Sequence, residues 1–184
     1  MLTAANRPME YLRSVLTPLE PAIKEPLVLF PHRLAPEKQV EIFRDLSTAF
    51  PEYQFVVCQD QALTKPEYHA LLQRAALVIS GNLQETLGIS LFEGALCGAM
   101  PLAPARLSYV EMYDRQWLYP SEWTTDWSAY QRHRDLLVAR MRAMLDDYWR
   151  RPAVVQRLIA AQAASLEHEF FTATPMYDRL FIDR

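Results

Sequence analysis

VISGNLQETLGISLFEGALCGAMPLAPARLSYVEMY, residues 78–113, is the stretch whose reading decides the fold. An apolar run over residues 75–79 feeds into it and stops at Ser80-Gly81-Asn82, the pattern of a buried strand ending at a turn. Gly88 then precedes a helical pattern with Ile89, Leu91, Phe92, Ala95 and Leu96 apolar. Gly98 closes that helix, as glycine past a helix end usually does. Residues 100–103 form a second apolar run, stopped by Pro104. Strand, loop, helix, strand is one parallel crossover unit, which predicts an α/β domain with a mostly parallel sheet.

Two carboxylates sit in this unit with seven residues between them, Glu85 in the loop and Glu93 one turn into the helix. In an open parallel sheet, ligands bind where loops leave the carboxyl ends of the strands, so both acids are expected near that edge. The helix start exposes unpaired N–H groups and partial positive charge, a seat for phosphate. Gly88 removes a side chain that would block a close approach.

These residues resemble the donor-binding domain of retaining GT-B glycosyltransferases of the family 4 type. The shared pattern is Glu-x7-Glu with a glycine three after the first glutamate, here Glu85, Gly88 and Glu93. A Gly-to-Pro-hydrophobic turn follows the helix, here Gly98-Ala99-Met100-Pro101-Leu102, one residue longer than in many members. The continuation, residues 104–111, is most similar to the branch that mannosylates queuosine in transfer RNA. The resemblance implies a Rossmann-like three-layer domain, half of a GT-B fold.

Upstream, Arg33 and Lys38 bracket a tight loop after a strand at residues 27–30. The family has Arg-x4-Lys here, and the resemblance implies that both cations hold the donor's diphosphate. Arg offers a planar fork and Lys a point charge, a common pairing for phosphate oxygens. Lysine at a helix start opposes the dipole, so an anion facing Lys38 is expected. By the same resemblance Glu93 holds ribose hydroxyls, Glu85 holds a hydroxyl of the donor sugar, and Ile89 lies against the donor beside Gly88. His32 stands where the family usually has glycine and is a candidate donor contact. Glu111 either touches the donor or caps the short helix that follows. His69, His133 and His168 show no metal spacing, and Asp146-Asp147 reads as a helix-surface pair. No metal and no cofactor is expected.

The flanks complete the outline. A helix is expected after Lys38, with Val40, Ile42, Phe43, Leu46 and Phe50 apolar, then a strand over residues 53–58. A short helix over residues 66–74 carries Tyr68, Leu71 and Leu72 on its apolar face, and the strand at residues 75–79 follows almost at once. A strand-helix unit usual in the family is missing or compressed there. Residues 117–120 read as an edge strand, 128–150 and 152–169 as helices, with Pro152 suiting a first turn. Residues 1–25 read as a lead-in, 26–125 as the nucleotide-sugar-binding core, and 126–184 as C-terminal helices packing on it.

Composition sets the outer bounds. The chain has 184 residues, 51% hydrophobic and 22% charged, which suits one globular domain with a real core. A net charge of −3 gives no global case for nucleic-acid or membrane binding. Cys58 and Cys97 suggest neither disulfide framework nor metal site. The absence of a signal pattern or a spanning run makes a cytoplasmic setting the expectation. Three functional readings stay open. The chain is a glycosyltransferase whose acceptor side is a partner chain, a second copy or the substrate, with a nucleic-acid base as a reasonable acceptor. Or it binds nucleotide sugars without turnover, or it is an assembly protein that lost the ligand.

Overall fold

The computed structural model describes residues 23–171, and residues 1–22 of the expected lead-in and the tail after Phe171 lie outside them. Among the described residues five strands, all parallel, form one sheet in the order β2-β1-β3-β4-β5. They are β1 (Glu25–Phe30), β2 (Gln54–Val57), β3 (Ala75–Ile79), β4 (Met100–Pro104) and β5 (Leu118–Tyr119). The α-helices that join and cover them are α1 (Val40–Ser47), α2 (Lys65–Arg74), α3 (Ile89–Leu96), α4 (Tyr109–Met112), α5 (Trp127–Arg150) and α6 (Pro152–Leu166). This is a Rossmann-like α/β domain.

The sheet's centre explains the sequence pattern. β3, AALVI, is buried at every position, because helices cover both of its faces. Against it packs α3, so closely that a Cβ on Gly94 would meet Val78 Cγ2 at 2.6 Å. The crossover unit of residues 75–104 is therefore present as read, with β3 and β4 paired from Leu77↔Met100 to Ile79↔Leu102.

Several boundaries differ from expectation for local reasons. β1 extends back to Glu25, past Pro26, and its register against β3 shifts between Glu25 and Val28, where proline has no N–H to offer the ladder. β2 is shorter than residues 53–58, since Cys58–Asp60 turns into a 3-10 segment. Lys38 ends a 3-10 turn, Pro36–Lys38, rather than opening α1. The break is Gln39, held left-handed at φ 54° while its amide donates to the carbonyls of Gly81 (2.6 Å) and Thr124 (2.8 Å). α5 starts one residue early because Asp126 accepts from the Ala129 N–H at 2.8 Å, an N-cap bond. α6 ends at Leu166 and the chain continues in a π-turn, Glu167–Phe171.

α5 and α6 share the sheet's core: Leu137, Met141 and Leu145 from α5 and Val155 and Ile159 from α6 are buried in it. No helix among the described residues is long and apolar enough to cross a membrane.

Candidate functional site

Three loops leave the carboxyl edge of the sheet beside one another, because β1, β3 and β4 are neighbours in it. Between the loops after β1 and β3 lies an open hollow of about 500 Å³. The first loop contributes Pro31, His32, Arg33 and Lys38, and the second contributes Glu85, Thr86, Leu87 and Gly88. Ile89, Ser90 and Glu93 come from α3, and Tyr68 from α2. Seven of the eight residues singled out from sequence thus meet in one place. Glu111 does not: it is exposed on α4, outside the residues that line the hollow.

Each side chain has a definite setting. Lys38 is buried and donates to Gln84 O at 2.7 Å and to Glu85 Oε2 at 3.1 Å. The anion expected opposite Lys38 is therefore part of the chain itself, a pairing that two distant stretches of sequence do not reveal. Glu85 also accepts from Asn82 Nδ2 at 2.7 Å and from the Thr86 N–H at 3.0 Å. Burial works against its charge, but Lys38 and the N–H groups of Gly88 and Thr86 outweigh it and hold its carboxyl below the usual range. Arg33 forms an ion pair with Glu37 four residues on, with 66% of its side chain in solvent. Such an exposed pair is weak and exchanges readily for a better anion.

Glu93 takes the opposite path. Burial dominates and pushes its carboxyl up, against the pull of the Tyr68 hydroxyl and Lys65. Tyr68 Oη donates to Glu93 Oε2 at 2.9 Å. His32 is 3% exposed, with Nδ1 at 3.0 Å from Ser90 Oγ. Burial first, then the Lys38 cation, lowers its pKa to about 4, so it is neutral at pH 7. His32 thus supplies a neutral imidazole anchored to the first turn of α3.

The floor of the site was not read from sequence. Gly88 adopts φ 58° as the N-cap of α3, and a Cβ there would lie 2.7 Å from Tyr109 Cε1. Tyr109 Oη accepts from Asn82 Nδ2 at 3.0 Å and stands 3.1 Å from Ser80 Oγ, all three residues being fully buried. Tyr119 Oη donates to Ser80 O at 2.9 Å. This net ties the loop after β3 to the α4 segment and sets the height at which Glu85 stands. A buried tyrosine needs a hydroxyl partner, and that is the signal that could have singled out Tyr68 and Tyr109.

The arrangement can take an anion and a polyol together. Arg33, Lys38 and the start of α3 offer donors, while Glu85 and Glu93 offer acceptors about the same space. A larger hollow of about 720 Å³, between α3, α6 and Lys24, mixes small and apolar side chains with Lys24, Gln156, Arg157 and Glu167 and holds none of the site residues singled out from sequence.

No protein-family model matches the chain. A tRNA-queuosine alpha-mannosyltransferase from Drosophila melanogaster is 39% identical over 57 residues, which is 31% of this chain and 15% of that protein. Among solved structures, TarM superposes with a TM-score of 0.63 at 13% identity, covering 89% of this chain. The pneumococcal O-GlcNAc transferase GtfA, solved with UDP and GlcNAc, superposes with a TM-score of 0.58 at 14% identity, covering 88%. The chain spans 36% of each of those two structures. It has the Rossmann-like fold of one half of a GT-B glycosyltransferase.

Proposed function

We propose that the hollow binds a nucleoside diphosphate sugar and that the chain is the donor side of a glycosyltransferase acting with retention of configuration. The observation that carries this reading is the gathering of Arg33, Lys38, Glu85, Gly88, Ile89 and Glu93 around one space, from elements separated along the chain. Arg33 leaves Glu37 for the diphosphate, and Lys38 and the first N–H groups of α3 complete the cationic side. Glu93 accepts from ribose hydroxyls, and Glu85 from a hydroxyl of the sugar. Fixed positive charge placed where the leaving diphosphate develops its own charge stabilises departure without a metal ion. Holding donor and acceptor together supplies the rest of the acceleration.

The acceptor we assign is a base in transfer RNA, supported by the local similarity to the queuosine mannosyltransferase. The acceptor-binding side is then contributed by protein beyond the described residues, a partner chain or a second copy, in a cytoplasmic setting.

Calorimetric titration with a panel of nucleoside diphosphate sugars tests the donor site. Arg33→Ala and Glu93→Ala should each weaken binding at least about tenfold, the loss of one charge-assisted contact. Unchanged affinity in both, with circular dichroism intact, removes the assignment. Label transfer from the bound sugar to transfer RNA tests the acceptor.

A further inference from the structure

We infer that Tyr68 is a positioning residue of this hollow: its hydroxyl holds one oxygen of Glu93 so that the other faces the ribose hydroxyls of a bound nucleoside diphosphate. The inference rests on the donor-site reading above and adds to it a residue that the glutamate-glycine pattern does not contain.

The geometry is specific. Tyr68 lies on α2 and Glu93 on α3, so the bond between them joins two helices across the rim of the hollow, and both side chains line it. A glutamate has three rotatable side-chain bonds, and an unanchored one must be ordered by the ligand at the ligand's expense. The 2.9 Å bond from Tyr68 Oη to Oε2 removes most of that freedom beforehand. Tyr68 engages Oε2, which leaves Oε1 as the acceptor for a sugar hydroxyl. The tyrosine ring forms part of the same wall, so hydroxyl and ring act on one ligand.

The groups facing the pair are few. Lys65 on α2 pulls Glu93 towards its charged form, while Cys58 and Cys97 stand near Tyr68 with thiols pushed up to about 12 by burial, and so neutral. Burial raises the Glu93 carboxyl and the Tyr68 hydroxyl holds it down, so removing the hydroxyl moves it up again. A protonated carboxyl gives one acceptor fewer to the ribose, and affinity then falls at a higher pH than in the parent protein.

The test is a double-variant cycle read by calorimetry. Wild type, Tyr68→Phe, Glu93→Gln and the double variant are titrated with uridine, guanosine, adenosine and cytidine diphosphate, and the tightest binder is followed from about pH 5 to pH 8, around the carboxylate range. Tyr68→Phe should weaken binding about fivefold, one hydrogen bond's worth, with the acid fall-off shifted to higher pH. In the Glu93→Gln background the same change should cost nothing further and shift no pH profile. Losses that multiply in the double variant, or wild-type affinity in Tyr68→Phe, overturn the positioning role while leaving the donor site standing. Failure of the wild type to bind any of the four diphosphates overturns both.

Discussion

An ion pair at each edge of the sheet joins distant segments, Arg74 to Glu25 at one and Lys38 to Glu85 at the other, and these two pairs differ in everything but charge. At the amino edge, Arg74 donates twice to Glu25, both bonds at 2.7 Å, with 45% and 43% of the two side chains exposed. At the carboxyl edge, Lys38 meets Glu85 at 3.1 Å, with 9% and 17% exposed. The amino-edge pair has the better fork geometry. The carboxyl-edge pair has the better surroundings, since Asn82, Thr86 and the Gln84 carbonyl share its charges. Desolvated charges interact more strongly and are costlier to orphan, so the shorter bonds belong to the weaker pair. Ion pairs here are ranked by what surrounds them.

The largest effect should come from breaking the carboxyl-edge pair. Lys38→Met keeps the stem and removes the charge, leaving Glu85 without its cation. We expect a stability loss of about 2 kcal/mol, the usual scale for a charge-assisted bond. Donor affinity should fall about a hundredfold, which is two such contacts to phosphate. The pH profile sharpens the test. Glu85 has its carboxyl lowered from 4.5 in the fold, so its contribution is present above that value and disappears as pH falls below it. Urea melts of wild type should lose stability through that acid window, and Lys38→Met should lose less there. An identical acid slope in both proteins would mean that Glu85 does not owe its state to Lys38.

How much of this was legible follows the same divide. The crossover unit could be read because its signals are local: apolar runs, Gly88, Gly98 and a helical period between them. The gathering of Arg33, Lys38, Glu85 and Glu93 could be read because parallel topology sends successive loops to one edge. What escaped was every contact between side chains far apart in sequence. Lys38 was expected to need an outside anion, and its partner lies 47 residues on. Tyr68 counted as part of an apolar helix face, yet its hydroxyl serves Glu93. Gln39 gave no sign that its amide would bind two distant carbonyls and break the helix start. Periodicity reports which face is buried and says nothing about where a polar tip ends up within it.

A smaller effect, and of opposite sign, is expected from Glu93→Gln. Burial raises the Glu93 carboxyl, so the folded state favours the protonated form. Its charge therefore works against the ligand-free fold, and that cost grows as pH rises through the folded value. Replacing it with a neutral amide of the same shape should raise the melting temperature at pH 7 and leave it little changed near pH 4, while donor affinity falls. Binding sites commonly hold groups that cost stability. A lower melting temperature at pH 7 would show that Glu93 is held as comfortably as the amino-edge pair, and the contrast between the edges would narrow.

The smallest effect belongs to the amino edge itself. Arg74→Gln cuts both bonds to Glu25, which join the end of α2 to the start of β1. Arg74 is what holds the Glu25 carboxyl below its usual range, yet water replaces the guanidinium at once because both groups face solvent. We expect a melting temperature within error of wild type, unaltered by adding salt, and unchanged donor affinity, since no atom of this pair reaches the hollow. A clear loss of stability that salt abolishes would place real energy in an exposed pair. The ranking by surroundings would then fail at the edge where bond geometry is best.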